Sequence, residues 1–414
     1  MKRNFYYGAA IYFIQNITDW HMPLGISLGT IQDTQVMLGD TTAVASFVFA
    51  ASHSKSMRRA YPLQWNLFLV FAALVGVSLI RGVLSFGPSS PINEARYVIY
   101  FLGCVCWYAT SRAIPGYLDL SKWRNFALTG SVITLAFEIY NLLTYGLGSA
   151  SEFIYIDPNT SHNSRALMPV QAMFLLMTLT IFLTTTSFPS RYPRFTKYVF
   201  PGLLLAGILL AQQRSVWVAT LTTLASFLLF KRTRRITLIF VFVALLAFAI
   251  FLELGTFFEP IARSIRESAN NTSTFFAREG SWVQYLDNFA NYDFFNQAFG
   301  QPFGSGWGRY DGLNHIWVEF NPHNWYVIVL LRTGVMGLGV LVSWYLTSVV
   351  KSFSRRGSNV PYAFVQVQQL AYQIFYPIPW QSPLPYMAPE DAGASDAAHG
   401  SQNDRKELAQ KRTA

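Results

Sequence analysis

An arginine and a histidine stand in this chain where an apolar sequence makes charge and proton transfer consequential. Gln212-Gln213-Arg214-Ser215 interrupts an apolar stretch midway between Lys197 and the basic run 231–235. Both basic flanks belong on the same side of a membrane, so the chain has to turn back at 212–214. Each arm then holds about 15 residues, roughly 22 Å of helix against a hydrocarbon core of about 30 Å. The turn falls short of the far surface and holds Arg214 inside the outer leaflet. A charge there is a functional candidate, set against an arginine that only snorkels to the headgroups. Asn321-Pro322-His323-Asn324-Trp325 has the grammar of a helix start: Asn321 as N-cap, Pro322 at the first position, then a long apolar run. His323 in the first turn faces the positive end of the helix dipole, which favours a neutral imidazole able to accept a proton. The other reading is an interfacial histidine in an aromatic belt beside Trp325 and Tyr326. His21, His162 and His315 are the rival exterior histidines.

The segment 254–322 adds Ala277-Arg278-Glu279-Gly280-Ser281-Trp282, an arginine beside an aromatic ring, and the glycine-rich Gln301-Pro302-Phe303-Gly304-Ser305-Gly306-Trp307-Gly308. Without a strand before it and a helix after it, that glycine run reads first as a turn rather than a phosphate cradle. Arg332 and Glu138 are ionisable groups within spans, and a structural buried pair, with each other or with other buried groups, is the favoured reading. The chain has no Asp-x-Asp, His-Glu-x-x-His, P-loop or Cys/His cluster, which argues against a cytoplasmic nucleotide-sugar transferase and a metalloprotease. Cys104 and Cys106, two residues apart on one helix, point to different faces, so neither a disulfide nor a metal site is expected.

The elements that must position these groups follow from composition. Of 414 residues, 52% are hydrophobic and only 13% charged, about half the charge of an ordinary soluble domain. The apolar residues arrive in blocks bounded by Lys/Arg clusters, near 5–20, 36–52, 62–80, 97–110, 125–146, 167–187, 198–211, 215–230, 236–253, 323–349 and 361–380. The fold class is therefore all-α, a polytopic transmembrane bundle of about 10–12 spans with one long exterior loop. Met1-Lys2-Arg3 opens the first span rather than a cleaved leader, since no small-residue cleavage site follows. The net charge of +10 follows the positive-inside rule and needs no nucleic-acid partner: strict alternation, with the tail left unassigned, puts only arginines and no lysine outside. Arginines without lysines suit planar recognition of phosphate or carboxylate. The chain divides into transmembrane helices with short loops over 1–253, the loop 254–322 with short helices, a C-terminal transmembrane region 323–387, and a polar, disordered tail 388–414. Pro377, Pro379, Pro383, Pro385 and Pro389 interrupt the last apolar run and count against a final span.

Gln213-Arg214-Ser215-x-Trp217, then Arg278-x-x-x-Trp282, Gly304-x-Gly306-x-Gly308, and His323-Asn324 with Gly334-x-x-Gly337 together resemble the bacterial O-antigen ligase and O-antigen polymerase superfamily. The likeness is strongest from about 200 to 345. It implies a glycosyltransferase of the bacterial inner membrane that works without metal or other cofactor, with its site and the long loop facing the periplasm. The donor it implies is a glycan on undecaprenyl pyrophosphate. Carried over, Arg214 and Arg278 look like the pair gripping the donor pyrophosphate, and His323 like the base that deprotonates the acceptor hydroxyl. Asn324, Trp282 and Gly306, from the same motifs, and Arg165, at the outer end of a span, are the further substrate contacts.

Direct attack on the anomeric carbon would invert its configuration, and no paired-carboxylate signature points to a covalent intermediate. A surface polysaccharide polymerase is the preferred activity. The alternatives are a ligase moving glycan to lipid A core or to a protein, and, from another class, a polysaccharide or lipid transporter using Arg214, Arg332 and Glu138 as a path. The implied partners are the lipid-linked donor, a glycan or lipid acceptor, membrane lipids, a chain-length regulator and a flippase.

Overall fold

The computed structural model describes residues 27–31, 34–114, 120–145, 166–167, 169–184, 199–229, 234, 238, 273–311, 316–319, 321–354 and 360–375. The expected first span, all but residue 238 of the span 236–253, the tail, Arg165 and the three rival histidines lie outside the described residues. Twelve helices are described: α1 (Leu38–Ser52), α2 (Ser54–Ala60), α3 (Pro62–Phe86), α4 (Ser89–Ala113), α5 (Leu120–Tyr145), α6 (Pro169–Thr184), α7 (Phe200–Leu210), α8 (Arg214–Leu229), α9 (Ser273–Ala290), α10 (Phe294–Phe299), α11 (Trp325–Ser354) and α12 (Val360–Phe375). Two antiparallel hairpins interrupt the all-α pattern, β1 (Ser27–Ile31) with β2 (Thr34–Met37) and β3 (Gly308–Asp311) with β4 (Ile316–Glu319). The second falls in the long loop, where only short helices were expected.

Among the described residues, two helices are long and apolar enough to cross a membrane, Pro62–Phe86 and Trp325–Phe353, and four shorter apolar helices accompany them. Local signals set their ends. Pro62 opens α3 at a position that needs no amide donor, and Gly87, at φ 76°, closes it with its N–H on the Val83 carbonyl. Two apolar cores result. In the first, α1, α3, α4 and α11 bury a run of rings in which Trp344 meets Phe68 at 5.4 Å and Phe101 meets Trp325 at 5.4 Å. In the second, α6, α7 and α8 pack around Leu204, Ile208 and Val216.

α12 ties the two cores together. Gln368 accepts from Thr180 of α6 at 2.7 Å and from Thr223 of α8 at 3.3 Å. Gln366 accepts from Ser352 and donates to Ser348, both of α11, at 3.2 Å each. Polar side chains bonded across helices are a common adhesive where lipid removes the hydrophobic drive. The helix ends at Phe375, two residues before Pro377.

Candidate functional site

The helix α11 does not start where the sequence predicts. Asn324, not Asn321, is its cap: the Asn324 side chain accepts from the Val327 N–H at 3.1 Å, and its carbonyl from Ile328 at 3.0 Å. Pro322 and His323 therefore precede the helix. His323 adopts φ 47°, a left-handed conformation uncommon outside glycine, and its N–H donates to the Asn321 side chain at 3.0 Å. The correction has one physical cause: two asparagines compete for the cap, and the left-handed residue between them can belong only to the turn.

That turn is pinned from α9. Trp282 donates its indole N–H to the Pro322 carbonyl at 2.5 Å, and its ring lies 6.3 Å from Phe375. One helical turn earlier, Arg278 donates to the Phe375 carbonyl at 3.4 Å, at the end of α12, where the helix dipole is negative. Burial, and then the charge of Arg278, hold the His323 imidazole down at about 4. The ring is neutral at neutral pH, as expected, although the cause differs from the predicted helix dipole. Its Nδ1 is buried with no hydrogen-bond partner among the described residues.

Arg214 reaches the same end of the bundle. α8 and α12 run antiparallel, with Phe227 against Phe364 and Thr223 bonded to Gln368; the same register carries Val216 to the level of Phe375. Arg214 is the first residue of α8, directly after a turn in which Gln212 takes φ 52°. Gln213 fixes that turn by donating to the Leu167 carbonyl at 2.7 Å, and Trp217 does so by donating to Ile208 at 3.1 Å. The turn expected at 212–214 is thus present. His323, Arg278, Trp282, Asn324 and Arg214 gather at one end of the bundle, with Leu167 marking where the chain after Arg165 arrives.

Gly306 lies at that end too, on a turn built into the protein. Arg332, 2% exposed, ion-pairs with Glu94 of α4, donates to Ser305 at 2.7 Å and to the Gly306 carbonyl at 2.5 Å, and stacks 4.0 Å from the Trp307 ring centre. Glu94 in turn accepts from the Gly304 N–H at 2.7 Å. Glu94, not Glu138, is therefore the partner of Arg332. Glu94 is the sixth residue of α4, beyond the first turn that favours a carboxylate, so nothing local in the sequence points to it. The clamp also reaches α9, because Tyr285 donates to the Trp307 carbonyl at 2.7 Å.

Residues 201–342 match the family described as O-antigen ligase. The superfamily resemblance holds over that window. The matched region runs from α7 to residue 342 within α11 and carries Arg214, Arg278, Trp282, Gly306, His323 and Asn324. Glu94 and α12, which complete this end of the bundle, lie outside it. No curated protein matches the chain.

Proposed function

We propose that the protein is a polytopic inner-membrane glycosyltransferase whose periplasmic site transfers glycan from undecaprenyl pyrophosphate to a sugar hydroxyl, polymerising a surface polysaccharide. The observation that supports this most is the His323 turn: a neutral imidazole whose Nδ1 is unengaged among the described residues, under the charge of Arg278 at the end of the bundle that Arg214 also reaches. His323 takes the proton from the acceptor hydroxyl as its oxygen attacks the anomeric carbon. The bond from that carbon to the pyrophosphate oxygen breaks with inversion, and Arg278 and Arg214 hold the leaving diphosphate. Two guanidiniums can supply the charge neutralisation a metal would otherwise give. Bound diphosphate also counters Arg278, raising the basicity of His323 once the donor is in place. Trp282, Asn324, Gly306 and Arg165 are the proposed sugar and phosphate contacts.

The test is transfer of a labelled undecaprenyl-pyrophosphate oligosaccharide by purified protein in EDTA, wild type against His323→Ala. A loss of about 10²–10⁴-fold in a folded variant is expected; equal turnover would remove His323 as the base. In cells, loss of a polymerase leaves single repeat units on the acceptor, whereas long chains accumulating on the carrier would reassign the activity to a ligase.

A further inference from the structure

The short helix α10 does not lie over the face of the bundle; it is sunk into its side. Arg81 of α3 donates to the Gly300 carbonyl and to the Asn296 side chain, each at 2.9 Å, and its guanidinium sits 4.8 Å from the Phe295 ring centre. Ser78 of α3 donates to the Gln301 carbonyl at 3.3 Å, and the Gln301 N–H bonds the Leu331 carbonyl of α11 at 2.8 Å. A Cβ built on Gly334 would come within 2.2 Å of the Ala298 carbonyl, so the two backbones touch.

Two helices give the depth independently. Arg81 and Ser78 lie five and eight residues before Phe86, the end of α3, or about 7 and 12 Å along the axis. Gly334 lies nine residues past Trp325, the start of α11, or about 13 Å in. At that level the outward residues of both helices are apolar and exposed: Val77 and Ile80 on α3, and Val335 and Met336 on α11. Phe294 and Phe295 of α10 continue this strip at 86% and 52% exposure.

The backbone provides a second argument. Irregular chain at hydrocarbon depth is tolerated only where its polar groups are satisfied by protein. Here the Gly300 carbonyl and both backbone groups of Gln301 are taken up by Arg81, Leu331 and Ser78. We propose that α10 is a re-entrant element, with Phe294 and Phe295 seated in the acyl chains of the leaflet on the site side. Asp293, exposed at its cap, stands at headgroup level. The inference concerns lipid contact alone and stands whatever reaction the site performs.

The test places a nitroxide at Phe294→Cys in a Cys104→Ala/Cys106→Ala background, in proteoliposomes of phosphatidylethanolamine and phosphatidylglycerol, with Glu279→Cys on α9 as the aqueous reference. Relaxation by oxygen but not by a water-soluble nickel chelate is expected at position 294. Relaxation by the chelate there, or by neither agent, as a second copy covering the patch would produce, overturns the proposal. If the cysteine background does not fold, benzoyl-phenylalanine at position 294 of the otherwise native chain takes its place. Photocrosslinking to lipid acyl chains supports the proposal; crosslinking to protein, or none, refutes it.

Discussion

Arg332 and His323 sit nine residues apart at the same end of α11, and their surroundings are opposite. Around Arg332 every strong donor has an acceptor: Glu94, Ser305, the Gly306 carbonyl, and the face of Trp307 besides. Around His323 the backbone is held in a left-handed turn, a ring nitrogen is left over among the described residues, and the charge of Arg278 acts on the ring with the repelling sign. A buried ion pair closed on all sides holds segments together. A buried imidazole that keeps a ring nitrogen unpaired among the described residues holds no segments together, and under the proposed function it serves as the base. Charge inside a membrane protein is thus not one signal but two, told apart by whether its partners are already in place.

Substitutions can break this contrast. The largest effect expected is on transfer by His323→Ala, a fall of up to about 10⁴-fold with the melting transition in detergent unmoved; a large drop in melting temperature would make His323 structural. Arg332→Ala should do the reverse. It strands Glu94 and lowers stability by about 3–5 kcal/mol, whereas Arg332→Met with Glu94→Gln recovers much of that loss; unfolding in graded denaturant separates these cases. Gly334→Ala comes next, at about 1–3 kcal/mol, since Gly334 combines φ 68° with backbone contact to Ala298.

The smallest effect sharpens the contrast through pH. His323 is lowered from 6.5 to about 4, so the unfolded chain takes up its proton first as pH falls. The neutral ring adds nothing above pH 6.5, and stability drains away between 6.5 and about 4. The acid limb of kcat/KM should lie well below 6.5 and that of kcat higher, because bound diphosphate offsets Arg278. Arg278→Gln should raise the kcat/KM limb but leave it below 6.5, burial being the larger cause. Coincident limbs in the wild type would argue against diphosphate beside His323.

Much of this end of the molecule was legible in the sequence, for local reasons. The turn at 212–214 follows from counting residues between two basic clusters, and the His-Asn pair ahead of Gly334 marks a helix start. The cap itself was misassigned, because the choice between Asn321 and Asn324 depends on the φ of His323, which composition does not encode. Glu94 was invisible as the partner of Arg332: the two are 238 residues apart, and no local pattern pairs them. The buried glutamines of α12 mean little in the sequence until α6, α8 and α11 surround them. The depth of α10 is likewise a tertiary property, since six residues carry no membrane signal of their own.

One hydrogen bond has a consequence outside the site. The break at Gly334 divides α11 into 325–333 and 335–354, and the Leu331 carbonyl just before it accepts from Gln301, a residue that belongs to no helix. In deuterium exchange, that loop amide should keep time with the slow interior of α11 rather than with its neighbours. Gln301 is then a reporter, in a stretch of irregular chain, on whether the first turns of the helix that follows His323 are still in register.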